Sequence, residues 1–135
     1  MFHVSKVLLR APDQHYLLLL RSEHPTFPND PDLPGGTVED GEEPIVAAVR
    51  EVEEETGIDI SEKPLTHLYT GTKYSTHGTE YSLYLCDVDT QPEVMISWEH
   101  ASYEWVTLEQ LIDQSGSATD TYMHMVHDTL LKKLQ

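Results

Sequence analysis

The chain has 135 residues, with 24 Asp plus Glu against 8 Lys plus Arg and a formal net charge of −16 at pH 7. This length predicts a single domain over residues 1–135, and so acidic a chain is a poor partner for nucleic acid polymers or anionic membranes. No apolar stretch approaches the roughly 18 to 20 residues of a membrane span, and the single cysteine, Cys86, can form no internal disulfide. A cytoplasmic protein is the simplest expectation.

The first half of the chain predicts two strands, a loop and a helix. Residues 4–10 and 15–21 have strand character. Four prolines in residues 22–34 are incompatible with a helix or a central strand, so a stiff loop is expected there. Pro44 suits the first turn of a helix that Gly57 would end, and its apolar stripe at helical spacing comprises Ile45, Ala48, Val49 and Val52.

The second half predicts three more strands and two helices. Residues 65–74, 79–88 and 103–106 have strand character. Thr107 and Gln110 have the spacing of a capping box for a helix that begins at Leu108, and a last helix is expected over residues 120–134. Strands mixed with three helices predict an α/β fold in which helices cover a mixed sheet.

Three glutamates share one face of the predicted first helix. At about 100° per residue, Glu51, Glu54 and Glu55 fall within one arc beside the apolar stripe, whereas Glu53 points away. A stabilising surface would place Lys or Arg four residues after Glu, but here like charges recur near the C-terminal end, where the helix dipole disfavours them. A solvated charged face explains this pattern poorly. A hard cation such as Mg²⁺, which prefers oxygen ligands, explains it better.

The residues around this helix resemble the Nudix box. Residues 36–42 read Gly-Thr-Val-Glu-Asp-Gly-Glu, seven residues follow, and residues 50–58 read Arg-Glu-Val-Glu-Glu-Glu-Thr-Gly-Ile. The Nudix pattern is G-x5-E-x7-R-E-U-x-E-E-x-G-U, where U is a bulky aliphatic residue, and every fixed position matches. The aliphatic strand before residue 22 and the sequence Leu33-Pro34-Gly35 also look like the family's flanking segments.

The resemblance implies a Nudix-type α/β/α sandwich with a mixed β-sheet. It also implies a metal-dependent hydrolase that cuts a pyrophosphate bond in a small phosphorylated substrate. By position in the box, Glu54 and Glu55 would bind Mg²⁺, or Mn²⁺ in its place, and Glu51 would bind metal or act as the base. A backbone carbonyl near Gly36 would join them, and Arg50 would orient the glutamates.

One acidic residue outside the box is a further candidate for the metal site. Glu99 lies six residues before Trp105, a spacing similar to that of a metal-binding or base glutamate in Nudix members that cleave nucleoside triphosphates. Glu104 is the rival, but strand alternation would place its side chain opposite that of Trp105. A plain loop acid is the alternative for Glu99.

Three residues are candidates for substrate binding. Arg21 and Lys73 end strands that flank the box, so they either contact substrate phosphates or are exposed end charges. Phe27, in the proline loop, is the best candidate to stack on a base. The expected substrate is a nucleoside diphosphate linked to another group, or a nucleoside triphosphate.

Other functions are compatible with parts of the sequence. A Nudix-like module could bind or sense a ligand without catalysis, although such a module need not keep three crowded glutamates. A Nudix-type isomerase would need a catalytic cysteine, and Cys86 has no supporting context. His124 and His127 have the spacing of transition-metal ligands but lack an obvious third ligand. Whether the chain forms a homodimer stays open.

Overall fold

The computed structural model describes residues 2–22, 30–75 and 77–135, which form a seven-stranded mixed sheet and three helices. The expected α/β class, with helices covering a mixed sheet, is confirmed. The strands are β1 (His3–Arg10), β2 (His15–Arg21), β3 (Pro31–Asp32), β4 (Gly35–Thr37), β5 (Thr66–Gly71), β6 (Glu80–Asp87) and β7 (His100–Thr107). The helices are α1 (Pro44–Thr56), α2 (Leu108–Ser117) and α3 (Tyr122–Lys133).

A short segment fills a gap in the middle of the sheet. β1 runs parallel to β6 along its whole length, but it pairs with β2 only near their turn, where Arg10 lies opposite Tyr16. Farther along, residues 31–37 occupy the space between the two strands, since β3 pairs with β2 and β4 pairs with β1. Six residues separate this segment from α1, and the hydroxyl of Ser5 in β1 donates to the carbonyl oxygen of Pro44 at the start of that helix.

The two faces of the sheet carry separate apolar clusters. Along β1, Val7 and Leu9 belong to the cluster beneath α1, whereas Leu8 belongs to the cluster beneath α2 and α3. The alternation of side chains along a strand produces this division. Thr107 and Gln110 form the predicted capping box at the start of α2. None of the helices in the described part of the chain is long and apolar enough to cross a membrane.

Helix α1 has the predicted ends but a shifted buried face. Pro44 occupies its first turn, and Gly57 ends it with φ 75°, a backbone conformation that glycine adopts without strain. Ile45, expected in the buried stripe, is 40% exposed, whereas Ala47 is fully buried. The buried face of α1 therefore includes Ala47 in addition to the predicted Ala48 and Val52.

Two further expectations need correction. The loop predicted for residues 22–34 contains the strand β3, because Pro31 needs no N–H of its own to lie opposite Leu20. The strand predicted over residues 103–106 is longer and begins at His100, because β2 offers a partner along its full length.

Candidate active site

Helix α1 presents three carboxylates of graded exposure beside β4. The side chain of Glu54 is 57% exposed, that of Glu51 is 17% exposed, and Glu55 is buried at 6%. Glu53 is exposed on another side of the helix, as predicted. The three predicted glutamates therefore lie between solvent and the sheet, which is where a bound phosphate could reach them.

Arg50 joins the start of the helix to its glutamates. Its guanidinium donates two hydrogen bonds to Glu42, from Nε to Oε2 and from Nη2 to Oε1, both at 2.9 Å. Nη1 donates to Glu51 Oε1 at 2.8 Å and to Glu54 Oε1 at 3.3 Å. Hydrogen bonding to Arg50 lowers the pKa of Glu42 to about 2. One planar cation thus holds three carboxylates, which is a geometry that a lysine cannot reproduce.

Glu55 turns toward the backbone of β4. Its Oε1 accepts a hydrogen bond of 2.7 Å from the N–H of Gly35. Burial raises the pKa of Glu55 to about 7, while Lys6 and the Gly35 N–H act in the opposite direction. Gly35 itself has φ 140°, and an added Cβ would lie 2.0 Å from the carbonyl oxygen of Ser5. Only glycine can bring its N–H to this carboxylate without displacing β1.

Glu51 lies against Gly36, the first residue of the box. A Cβ on Gly36 would come within 2.4 Å of Glu51 Oε2, so the absence of a side chain makes room for the carboxylate. Burial raises the pKa of Glu51, Arg50 lowers it, and the neighbouring charge of Glu54 raises it further. Two of the three carboxylates are therefore held where negative charge is unfavourable.

The donor set suits a hard divalent cation, although the side chains do not form a closed cage. Within the described residues, no three His, Cys, Asp or Glu side chains converge on one point. Arg50 draws Glu51 and Glu54 to itself, and Gly35 holds Glu55. All three nevertheless offer carboxylate oxygens, the ligands that Mg²⁺ prefers, on one helix face. Added positive charge would relieve the unfavourable burial of Glu51 and Glu55.

A buried polar cluster behind β4 was not predicted. Asp32, 5% exposed, receives hydrogen bonds from Lys6 Nζ and the Tyr122 hydroxyl and contacts His100 Nε2. Lys6 and Arg21 hold the pKa of Asp32 below its usual range despite its burial. The sequence did carry a signal for one member. Strand alternation places Lys6 on the same face as the core residue Leu8, where a lysine needs a partner.

Arg21 belongs to this cluster and has little exposed surface. Its Nη2 lies 3.0 Å from Asp120 Oδ2 and 3.5 Å from Asp32 Oδ1, and its side chain is 11% exposed. These pairs give Arg21 a structural role that competes with the predicted phosphate contact. Lys73, by contrast, is exposed in the turn after β5, with its Nζ 5.3 Å from the centroid of the Tyr74 ring. Phe27 lies outside the described residues.

Glu99 and Glu104 occupy different surroundings. Glu99 is exposed directly before β7, and its carbonyl oxygen accepts hydrogen bonds from the N–H and the hydroxyl of Ser22. In β7, Trp105 packs on the cluster beneath α1, and strand alternation directs Glu104 to the opposite face. The predicted opposition of Glu104 and Trp105 is therefore present. Glu104 therefore points away from α1, across the sheet, whereas Glu99 lies in the segment before β7.

The remaining candidates have ordinary structural surroundings. His124 Nε2 contacts the carbonyl oxygen of Ala118, and His127 Nδ1 contacts that of Ile112. The predicted histidine pair is thus tied to two backbone carbonyls. Cys86 is fully buried, and burial raises the pKa of its thiol, which disfavours the reactive thiolate.

The sequence matches the NUDIX domain family over residues 2–128. The chain belongs to the Nudix family. It is accordingly a Nudix hydrolase, in which Glu42, Arg50, Glu51, Glu54 and Glu55 stand at fixed positions of the box. No curated protein matches the chain in sequence.

Solved structures share the Nudix fold at low sequence identity. A C. elegans Ap4A hydrolase complex has a TM-score of 0.77 and 22% identity, with 96% of this chain and 93% of that chain covered. The MutT protein from Methanosarcina mazei Go1 has a TM-score of 0.76 and 24% identity, covering 99% and 96%. A bifunctional NMN adenylyltransferase/ADP ribose pyrophosphatase from Francisella tularensis has a TM-score of 0.70 and 23% identity, covering 98% and 41%. These similarities establish the fold of the Nudix chain.

The burial of Glu55 predicts a pH-dependent stability in protein without added metal. The folded-state pKa of about 7 exceeds the ordinary value of 4.5, so the neutral carboxyl is the form that the fold prefers. The corresponding stability is fully present below about pH 4.5 and is lost as pH rises through 7. Glu55→Gln is therefore expected to be more stable than wild type at pH 8, by up to about 3 kcal/mol, and similar to it at pH 4.5.

Urea unfolding in EDTA at several pH values measures this difference. Glu53→Gln, which removes one exposed carboxylate from the same helix, is the matched control. A stability difference between wild type and Glu55→Gln that does not change between pH 4.5 and 8 would show that burial of Glu55 has no such cost.

Proposed function

We propose that the chain is a magnesium-dependent hydrolase of a small nucleotide substrate, with Mn²⁺ able to replace Mg²⁺. The substrate would be a nucleoside diphosphate linked to another group, or a nucleoside triphosphate. The observation that carries this proposal is the placing of Glu51 and Glu55 in confined positions against Gly36 and Gly35, with Glu54 exposed beside them. We include in the proposal a single catalytic domain over residues 1–135 and a cytoplasmic location.

The scarcity of available basic side chains supports a metal requirement. Lys6, Arg10, Arg21, Arg50 and Lys63 are each paired with carboxylates, and Lys133 donates to the carbonyl oxygen of Leu68. Of the eight basic residues, only Lys73 and Lys132 have no such acceptor in the described part of the chain. A pyrophosphate group carries several negative charges, so most of that charge must be neutralised by cations that the substrate or solvent supplies.

In the proposed reaction, Glu51, Glu54, Glu55 and the carbonyl of Gly36 would hold the divalent cation, and Glu99 would approach from outside the helix. Such a cation neutralises phosphate charge and lowers the pKa of a water molecule. A carboxylate, either Glu51 or Glu99, accepts the proton as the water oxygen attacks phosphorus. The bridging P–O bond breaks, which yields a nucleoside monophosphate and the remaining phosphate-bearing piece. Arg50 keeps Glu51 and Glu54 in place during this step.

Substrate recognition would lie outside the box. Lys73, which is exposed, is proposed to contact a substrate phosphate. Phe27 is proposed to stack on the base. Arg21 stays a proposed phosphate contact only if substrate can replace its ion pair with Asp120.

A substrate panel tests the proposed function. Nucleoside triphosphates, damaged nucleotides, dinucleoside polyphosphates and nucleotide sugars would be incubated with Mg²⁺, and the products separated by ion-exchange chromatography. We expect a nucleoside monophosphate from at least one class, loss of activity in EDTA and recovery with Mg²⁺ or Mn²⁺. Tight binding of a nucleotide without turnover would instead favour a ligand-binding module, and unchanged turnover in EDTA would exclude the metal requirement.

A further inference from the structure

A continuous series of contacts connects Glu55 with the segment that carries Glu99. It begins where Glu55 Oε1 accepts the N–H of Gly35 at 2.7 Å. The carbonyl oxygen of Gly35 accepts a hydrogen bond of 3.3 Å from Lys6 Nζ, which also donates to Asp32 Oδ1 at 3.1 Å. The other oxygen of Asp32 lies 3.0 Å from His100 Nε2. His100 directly follows Glu99 in the chain.

Each group in this series is confined. Lys6 is 7% exposed, and a third hydrogen bond, to the carbonyl oxygen of Leu33, occupies its last N–H. Asp32 also receives the hydroxyl of Tyr122 from α3. A buried lysine that donates to two backbone carbonyls and one carboxylate leaves the segment before the box little freedom to move.

His100 is attached to this cluster by one ring nitrogen. It is 5% exposed, its Nε2 contacts Asp32, and its buried Nδ1 has no hydrogen-bond partner among the described residues. An apolar side chain in place of the ring would leave the buried carboxylate of Asp32 without the partner that Nε2 supplies. The single contact with Asp32 is therefore the specific feature of this side chain.

We propose that His100 is a positioning residue, which through Asp32 and Lys6 fixes the segment carrying Glu99 relative to Glu55. This inference rests on the proposed function in one respect, namely that Glu99 acts at the reacting group. The contacts through Gly35, Lys6 and Asp32 place the start of β7 beside the segment that Glu55 contacts. Asp32, which Lys6 and Arg21 keep ionised, is the anchor for the His100 N–H.

Two substitutions separate positioning from packing. His100→Gln keeps an N–H donor that can reach Asp32, whereas His100→Leu keeps apolar volume and removes the donor. We expect His100→Leu to lower kcat about 10- to 100-fold, with KM within about twofold of wild type, and His100→Gln to recover most of the loss. A purely structural role would lower the melting temperature of both variants and leave the kcat of the folded fraction unchanged.

Hydrogen exchange without metal gives a second readout that needs no activity. In EDTA, peptides covering residues 97–103 should exchange faster in His100→Leu than in wild type, while His100→Gln should resemble wild type. If His100→Leu fails to fold, His100→Asn takes its place, because its shorter amide cannot reach Asp32. Unchanged exchange and unchanged kcat in a folded His100→Leu or His100→Asn protein would overturn the inference.

The two proposals can fail separately. If wild type hydrolyses nothing in the substrate panel, the proposed function fails, yet the exchange difference still tests whether His100 fixes the Glu99 segment. If wild type is active and both variants match it in kcat and exchange, the proposed function stands and the positioning role is wrong.

Discussion

Glu54→Gln and Glu55→Gln are each expected to lower turnover by about 100-fold or more at saturating Mg²⁺, without unfolding the protein. The amide keeps the size of the side chain but removes the charge that would hold a divalent cation. In Glu55→Gln the amide oxygen can still accept the N–H of Gly35, so the geometry of β4 should survive. In Glu54→Gln the side chain is 57% exposed, and its replacement disturbs no packing.

The measurement is kcat on the best substrate of the panel, with Mg²⁺ titrated in each variant. Circular dichroism checks that the fold is intact. Glu53→Gln is the control, since Glu53 lies on the same helix, carries the same charge and is exposed on another side. Either Glu54→Gln or Glu55→Gln with wild-type turnover at saturating Mg²⁺ would remove that residue from the metal site.

The box helix could be predicted because its determinants are local. Pro44, Gly57 and the glutamate spacing lie within one stretch of sequence, and the structure keeps the helix ends that they predict. The extent to which each glutamate is buried could not be predicted from the sequence. Glu55 is buried and Glu54 exposed because β4 inserts beside one edge of the helix, and β4 is placed by its pairing with β1, some 30 residues earlier.

The buried cluster was missed because its members are distant in sequence. Asp32 meets Lys6 across 26 residues, His100 across 68 and Tyr122 across 90. No periodic pattern or motif connects such positions, and single charged residues in a sequence usually lie on the surface. The sequence left Arg21 as either a phosphate contact or an exposed end charge, whereas the fold pairs it with two carboxylates.

Strands β3 and β4 bring the buried cluster around Asp32 and the glutamates of the box to one place. The gap between β1 and β2 exposes backbone groups that must be satisfied, and residues 31–37 satisfy them from both sides. The same segment presents the N–H of Gly35 to α1 and its carbonyl to Lys6. A substitution in the buried cluster should therefore alter the surroundings of Glu55, although none of the side chains in that cluster belongs to the box.

Glu99→Gln is expected to depress turnover by about 100-fold, whereas Glu104→Gln should leave it close to wild type. In the proposed site, the glutamates of α1 would approach a cation from one side, so another segment, water or substrate would have to close the opposite side. Glu99 is exposed before β7 and adjoins His100, whose ring reaches Asp32 in the cluster behind Gly35. Glu104 lies on the face of β7 opposite Trp105, which packs beneath α1, so the sheet separates it from the carboxylates.

Steady-state kinetics of the two variants, with Mg²⁺ and substrate both varied, decide between these acids. A base that does not bind metal should lower kcat and leave the Mg²⁺ concentration at half-maximal rate unchanged, whereas a metal ligand should raise that concentration as well. If Glu104→Gln strongly lowered turnover and Glu99→Gln did not, the role would belong to Glu104. If neither variant lowered turnover, the carboxylates of α1 together with water would suffice for the reaction. The outer side of the cation would then have to be closed by the substrate's own phosphates.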